Sequence, residues 1–94
     1  MAVSRISPAF RFETYTATYS LNAGANKWIT KSDFGISDIS GWEPAGFLCC
    51  ASGDDTVLIR TFNITISNVL NLRNVGTSNV TNKTATVIVL YLPV

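Results

Sequence analysis

The sequence contains no histidine, and this absence restricts the chemistry that the chain can perform. Histidine is the commonest general base in enzymes, so neither a Ser-His-Asp nor a Cys-His catalytic arrangement can be built. With only two cysteines, the chain also lacks the side chains for an ordinary four-ligand zinc site. We therefore expect no metal, no cofactor and no enzymatic activity.

Charged side chains are also scarce, at 14% of the 94 residues, and the formal net charge is +1. Lysine and arginine are scattered, so the sequence has no electrostatic footprint for nucleic acid or for an anionic membrane. A small domain with so little charge has a surface that favours association. We expect part of this surface to be buried against other copies of the chain.

No apolar run is long enough to cross a bilayer as a helix. The longest run, residues 85–94, has about half of the ~20 residues that such a helix needs. The start of the chain lacks the apolar segment and cleavage site of a signal peptide. We expect no membrane insertion, synthesis in a cytoplasm, an N-terminal arm over residues 1–9 and one domain over residues 10–94.

What the sequence does contain is a succession of β-strand patterns. Residues 10–20 alternate strictly, with Phe12 on one face and Tyr19 on the other. Further strands are expected at residues 27–32, 47–51, 56–66, 69–75 and 83–92. Turn residues separate these segments, and residues 33–41 are expected to form an irregular connection or one helical turn capped by Ser or Asp. The pattern predicts an all-β domain, a single antiparallel β-sandwich or small barrel of about seven strands.

The most reactive side chains lie in the stretch GWEPAGFLCCASGDD, residues 41–55. Cys49 and Cys50 are adjacent, so in a strand their side chains point to opposite faces and cannot form an unstrained disulfide with each other. Free cysteine is often buried, and we expect both residues to pack in the interior of a buried strand. A bridge from one thiol to a neighbouring subunit is the alternative.

The carboxylates of Asp54 and Asp55 follow this strand. A hairpin turn with Gly53 explains them better than a catalytic pair does, and weak calcium binding is the alternative. Other carboxylates that are compatible with glycosidase chemistry are those of Asp33, Asp38 and Glu43. Because these three residues lie in a short segment of a small domain, we do not expect them to line a catalytic cleft.

Aromatic side chains offer the best contact surface for a ligand, because their faces stack on the apolar faces of sugar rings. The candidates for contact with a glycan or a partner are Trp42, Trp28 and Tyr19. Trp42 lies between Gly41 and Pro44, and we expect it to be the most exposed of the three. For the aromatics as a group we expect packing in the core or in an interface, and contact with a ligand is the alternative.

Several motifs occur in a particular order along the chain. They are Asn26 after a Thr-rich strand, GWEPAGF at residues 41–47, the pair Arg73 and Asn74 before a Ser/Thr/Asn loop, and the ending VIVLYL at residues 87–92. This order resembles a recurrent C-terminal module of tail-fibre and receptor-binding proteins in phages and prophages of Gram-positive bacteria. The resemblance covers about residues 19–92.

That module has a Gly-aromatic-x-Pro-x-Gly turn, which Gly41, Pro44 and Gly46 match, and an Arg-Asn pair, which Arg73 and Asn74 match. The resemblance implies structural roles for all of these residues. An arginine in such a pair is suited to a buried or interfacial fork of hydrogen bonds.

The resemblance further implies a trimeric β-sandwich on the surface of a virion, and we expect its strand arrangement to be jelly-roll-like. The expected function is attachment to host cell-surface glycan by a homotrimer that also contacts other virion proteins, with multivalency offsetting weak single sites. In the family the module ends a much longer chain, whereas about 18 residues precede it here, so we expect either a free-standing small virion protein or a tip taken from a longer one. The alternative is therefore a purely structural component, a capsid decoration or head-fibre protein anchored through residues 2–9.

Overall fold

A computed structural model of the protein describes residues 10–94, and the expected arm at residues 1–9 lies outside the described residues. The elements are β1 Arg11–Leu21, β2 Asn26–Thr30, α1 Lys31–Phe34, β3 Trp42–Ala51, β4 Val57–Thr61, β5 Asn68–Asn74 and β6 Val80–Pro93. The prediction of an all-β chain is confirmed. The described part has six strands where about seven were expected, and the strand expected over residues 56–66 ends at Thr61.

The strands form two antiparallel sheets of three strands each. Sheet A has the order β1-β6-β3, and sheet B has the order β2-β5-β4. The first and last strands pair from Arg11 opposite Tyr91 to Leu21 opposite Val80. The two sheets are thus built from pairings between distant segments of the chain, which residue patterns alone do not specify.

The buried core is shared by both sheets. The residues with no exposed surface are Val69, Leu70, Leu72, Asn74, Ala85, Val87, Val89 and Tyr91. All of them belong to β5 and β6, the middle strands of the two sheets. In β6 the buried residues from Ala85 to Tyr91 alternate with partly exposed ones, as expected for a strand with one face on a core.

The connection after β2 contains one helical turn, α1. The Thr30 side chain accepts a hydrogen bond from the Asp33 backbone N–H at 3.2 Å, and the Asp33 carboxylate accepts one from the Thr30 N–H at 3.0 Å. These reciprocal bonds form a capping box and lower the pKa of Asp33. The cap residue is therefore Thr30, where Ser or Asp was expected. No helix in residues 10–94 has the length and apolar character needed to span a membrane.

Strand β3 corrects the prediction that residues 41–47 form a turn. Pro44 and Gly46 lie inside the strand, opposite Tyr91 and Leu90 of β6. A proline is tolerated here because β3 is an edge strand, where one row of backbone N–H groups has no strand partner. The register shifts between Pro44 and Gly46 and again between Phe47 and Cys49, so the strand is irregular.

The prediction that the cysteine-containing strand is buried is also wrong. Cys49 is exposed and Cys50 is half-buried, and both thiols are free. The expectation of opposite faces is confirmed, since Cys49 pairs with Ile88 on the outer side and Cys50 with Val87 on the core side. Burial raises the pKa of the Cys50 thiol.

Residues 52–56 do not form the expected hairpin, because β3 pairs with β6 whereas β4 pairs with β5. They carry the chain from sheet A to sheet B. Asp54 Oδ1 accepts hydrogen bonds from the Thr56 N–H at 2.9 Å and the Thr56 hydroxyl at 2.6 Å, and these bonds lower the pKa of Asp54. The Asp54 carboxylate and the positive φ of Gly53 therefore do supply turn chemistry, but to a crossover between sheets.

Candidate functional site

The outer face of sheet B carries an open groove of about 460 Å³. The residues that line it are Asn26, Trp28, Leu58, Arg60, Asn71 and Arg73. We call it the Trp28 groove. Each of the three strands of the sheet contributes two of these residues, spaced two positions apart, so that both point to the same side.

Strand register arranges the six side chains in two rows. Trp28, Asn71 and Arg60 are partners across β2, β5 and β4, and the neighbouring row holds Asn26, Arg73 and Leu58. Adjacent strands lie about 4.8 Å apart, and residues two positions apart on one strand are separated by about 7 Å. The groove therefore presents an aromatic ring, amides and guanidinium groups within reach of one small ligand.

The Trp28 ring that lines the groove packs against the ring of Phe62. The Trp28 side chain is 47% exposed, and its ring centroid lies 5.1 Å from that of Phe62. The Arg60 guanidinium carbon lies 5.2 Å from the centre of the same Phe62 ring, within the range of a cation–π contact. Phe62 thus contacts both side chains and restricts their orientations while leaving the indole open to solvent.

The groove is electropositive. None of its six lining residues is acidic. In residues 10–94, the ion pairs are Arg11 with Glu13 and Lys83 with Asp54, so the guanidinium groups of the groove have no carboxylate partner there. Each guanidinium offers five N–H donors, and the two asparagine amides add donors and acceptors. The arrangement can stack on a ring and donate hydrogen bonds to hydroxyl or anionic oxygens.

The structure separates the three aromatic residues that the sequence suggested. Trp28 lies in the groove, but the Tyr19 side chain is only 3% exposed and its hydroxyl donates to the Ser52 carbonyl at 2.6 Å. Tyr19 is therefore a core residue, and its assignment as a contact residue is wrong. Trp42 is half-buried against the core beneath the guanidinium of Arg11, 5.7 Å away, so the expectation that it is the most exposed aromatic is also wrong.

The Arg-Asn pair divides into a structural residue and a surface residue. The Asn74 amide donates to the carbonyls of Leu21 at 3.1 Å and Ser78 at 2.9 Å, and its Oδ1 accepts from the Gly76 N–H at 2.9 Å. These bonds tie β5 to β1 and to the following loop, which is a structural role. Arg73 is exposed in the groove, so a buried arginine fork does not exist within the single chain.

The outer face of sheet A has three consecutive rows without a charged side chain. We define the apolar face by three cross-strand rows: Phe12–Leu90–Gly46, Thr14–Ile88–Cys49 and Thr16–Thr86–Ala51. None of these side chains is charged, and Phe12 is 46% exposed. Phe10, 51% exposed, packs on Phe12 with ring centroids 5.1 Å apart and extends this surface at one end, where Glu43 lies opposite Leu92 on the other edge strand. Such a continuous apolar surface is typical of a contact with another protein.

Sequence reasoning missed five residues of the groove as ligand contacts: Leu58, Arg60, Asn71, Asn26 and Arg73, the last of which was expected to have a structural role. A weak signal was present, because three strands each carry a surface pair at positions i and i+2. These pairs are Asn26 and Trp28, Leu58 and Arg60, and Asn71 and Arg73. The signal identifies a common face for each pair, but only the strand order brings the three pairs together.

The part of the chain that the structure describes contains no group of three or more acidic, cysteine or histidine residues that could hold a metal ion. Asp54, a candidate calcium ligand, uses one carboxylate oxygen to bond Thr56. A scan against known protein families, a search of curated proteins and a search of solved structures gave no match to this chain.

Proposed function

We propose that the protein is a surface protein of a phage or prophage virion, a trimeric module of the fibre-tip type that attaches to glycan on the host cell. The single observation that carries this proposal is the Trp28 groove. It places an exposed indole beside two guanidinium and two amide side chains on one open sheet face. Aromatic stacking combined with hydrogen bonds from rigid neighbours is a chemistry suited to saccharides.

Assembly as a homotrimer is supported by the apolar face. An uncharged, aromatic and β-branched sheet surface gains from being covered, and the low overall charge offers little repulsion between copies. Three copies around one axis would hold three grooves in fixed relation. Their combined binding to a glycan-covered surface would greatly exceed that of one shallow groove.

A jelly-roll-like β-sandwich is supported by the strand pairing. The outer pair β1 and β6 encloses the pair β2 and β5 in sequence, while β3 and β4 add to β6 and β5 in the opposite sheets. In jelly rolls, too, strand pairs are nested in sequence in this way and the chain passes repeatedly from one sheet to the other. The architecture is used by viral capsid and lectin domains, which agrees with a virion protein that binds sugar.

The proposal is tested with the intact protein in two measurements. Its mass in native buffer at micromolar concentration should be that of a trimer, and the labelled protein should bind a subset of saccharides on a glycan array and on bacterial cells. A monomer would contradict the assembly, and an array without signal from an intact trimer would contradict attachment to glycan.

The apolar face also fits the second candidate, a purely structural virion component such as a capsid decoration or head-fibre protein. Such a protein needs an extensive surface for its virion neighbours but no sugar site. Electron microscopy of labelled particles distinguishes the two functions. Density for the protein at the tail tip supports attachment to glycan. Density on the capsid, together with no binding on glycan arrays, supports the structural role.

A further inference from the structure

We infer that the Trp28 groove selects saccharides that carry an anionic group, a carboxylate or a phosphate, over neutral saccharides. This inference rests on the proposed function, because it names the ligand class of the same site. Two of the six lining residues are arginines and none is acidic. A site that served neutral sugars alone would not need unpaired cations, because hydroxyl groups are bound well by uncharged amides.

The two arginines lie on adjacent strands, in neighbouring rows of the sheet. Asn71 is the register partner of both Arg60 and Trp28, and Arg73 stands two positions further along the same strand. Arg73 is therefore the diagonal neighbour of Arg60 and of Trp28, with about 7–8 Å between backbone positions. Side chains as long as arginine can converge from this spacing on one anionic group while the attached ring rests against Trp28.

The Arg60 side chain is oriented by a contact with an aromatic ring. Its guanidinium carbon lies 5.2 Å from the Phe62 ring centre, and that ring packs in turn against Trp28. A guanidinium that lies on an aromatic face keeps its N–H donors at the edge free for an oxyanion. Less conformational freedom is then lost on binding, which favours affinity.

Two cations outside the groove are paired with carboxylates, whereas the groove arginines are not. Arg11 lies 2.8 Å from the Glu13 carboxylate, and Lys83 lies 3.6 Å from that of Asp54. Arg60 and Arg73 have no such partner within residues 10–94, so the charge of the groove is available to a ligand. An external carboxylate or phosphate would form charge-assisted, bidentate hydrogen bonds with them.

Carboxylate and phosphate share this chemistry, and the test separates them by matched pairs of ligands. Sialyllactose is compared with lactose, and glucose 6-phosphate is compared with glucose, by NMR titration of the intact, isotope-labelled protein. We expect at least one charged member to bind about tenfold or more tightly than its neutral counterpart, with shift changes at Trp28 and Asn71. Raising the ionic strength should reduce this preference.

Three variants locate the effect. Arg73→Gln and Arg60→Gln should each lower affinity for the charged ligand about tenfold and leave affinity for the neutral one within about twofold. Lys27→Gln is the matched control, because Lys27 is also an exposed cation on β2 but is the partner of the core residue Leu72 and points away from the groove. It removes the same charge and should leave both affinities unchanged. Circular dichroism confirms that each variant is folded.

The possible outcomes separate the inference from the function on which it rests. Equal binding of charged and neutral ligands, unaffected by Arg73→Gln, would overturn the anionic preference while leaving glycan attachment in place. Absence of binding to any saccharide on a broad array would overturn both. A change in oligomeric mass caused by Arg73→Gln or Trp28→Ala would instead identify the groove as an interface between copies, which also overturns the inference.

Discussion

The rings of Trp28 and Phe62 lie with their centroids 5.1 Å apart at an interplanar angle of 48° on the outer face of sheet B. Trp28 belongs to β2, and Phe62 directly follows β4, so the contact joins two strands that flank β5. This contact makes the exposed Trp28 ring more rigid than a surface side chain without such a neighbour. This rigidity is the property that a shallow site for a sugar ring requires.

Replacing Asn74 by alanine should destabilise the protein strongly. The substitution leaves the carbonyls of Leu21 and Ser78 and the N–H of Gly76 without their partner in a buried site. We expect the free energy of unfolding to fall by about 3 kcal/mol in urea titrations. Asn71→Ala, on the outer face of the same strand, should cost less than about 1 kcal/mol. Equal effects of the two substitutions would contradict the structural role of Asn74.

Gly53→Ala should also be strongly destabilising, for two reasons. The φ of Gly53 is +82°, and an added Cβ would lie 2.3 Å from the Thr84 carbonyl oxygen, much closer than atoms can approach. Gly24 is the control, because its φ of +76° is similar but no atom lies within 4 Å of an added Cβ. Gly24→Ala should cost roughly 1–2 kcal/mol from backbone strain alone, and Gly53→Ala should cost clearly more. Thermal unfolding of both variants checks the difference.

The sequence was sufficient for the strands whose alternation is regular. The pattern of residues 10–20 predicts β1 Arg11–Leu21 within one residue at each end, and residues 69–75 predict β5 Asn68–Asn74 equally closely. Alternation is readable here because a strand with one face on a core repeats every second residue. These two elements need no knowledge of their partners.

Prediction failed for β3 because its context is not local. Pro44 and Gly46 are turn residues by composition, but an edge strand tolerates both, and the edge position follows from the strand order. The apolar residues around Cys49 suggested burial on both faces of the strand, whereas only one face of sheet A packs on the core. The same limit applied to the candidate site, because Trp28 could be named from its chemistry but Arg60 and Asn71 join it only through register.

The apolar face should be the surface that joins the copies of the trimer. Phe12→Lys places a charge in its first row without touching the core, since Phe12 is 46% exposed in the single chain. We expect the variant to remain folded but to become monomeric in native mass measurements. Leu58→Lys, at 57% exposure on the opposite sheet, is the matched control and should stay trimeric.

Thiol labelling gives an independent measure of the same contact. Cys49 is exposed in the single chain and lies in the second row of the apolar face. In the Cys50→Ser background, the Cys49 thiol should react slowly with iodoacetamide in the assembled protein and quickly once Phe12→Lys is added. Fast labelling in an intact trimer would place the interface elsewhere.

Stability should decline in alkaline solution because of Tyr91. Burial raises the pKa of this phenol, and its hydrogen bond with Tyr15 raises it further. The folded state therefore keeps a proton that the unfolded chain releases above about pH 10, so this stabilisation is full below that pH and is lost as the pH rises further. Tyr91→Phe should be less stable at neutral pH, because it lacks the 2.9 Å hydrogen bond to the Ser37 carbonyl, but should show a shallower alkaline decline. Urea titrations between about pH 8 and 11 compare the two proteins, and identical alkaline slopes would contradict the assignment.

The central claim is that the protein attaches to glycan through the Trp28 groove, and saccharide binding by two tryptophan variants tests it most directly. Trp28→Ala removes the 47% exposed ring of the groove, whereas Trp42→Phe changes a half-buried tryptophan outside it. With both variants shown to be folded and of unchanged oligomeric mass, glycan-array and whole-cell binding should be lost in Trp28→Ala and kept in Trp42→Phe. Full binding by Trp28→Ala would contradict the claim.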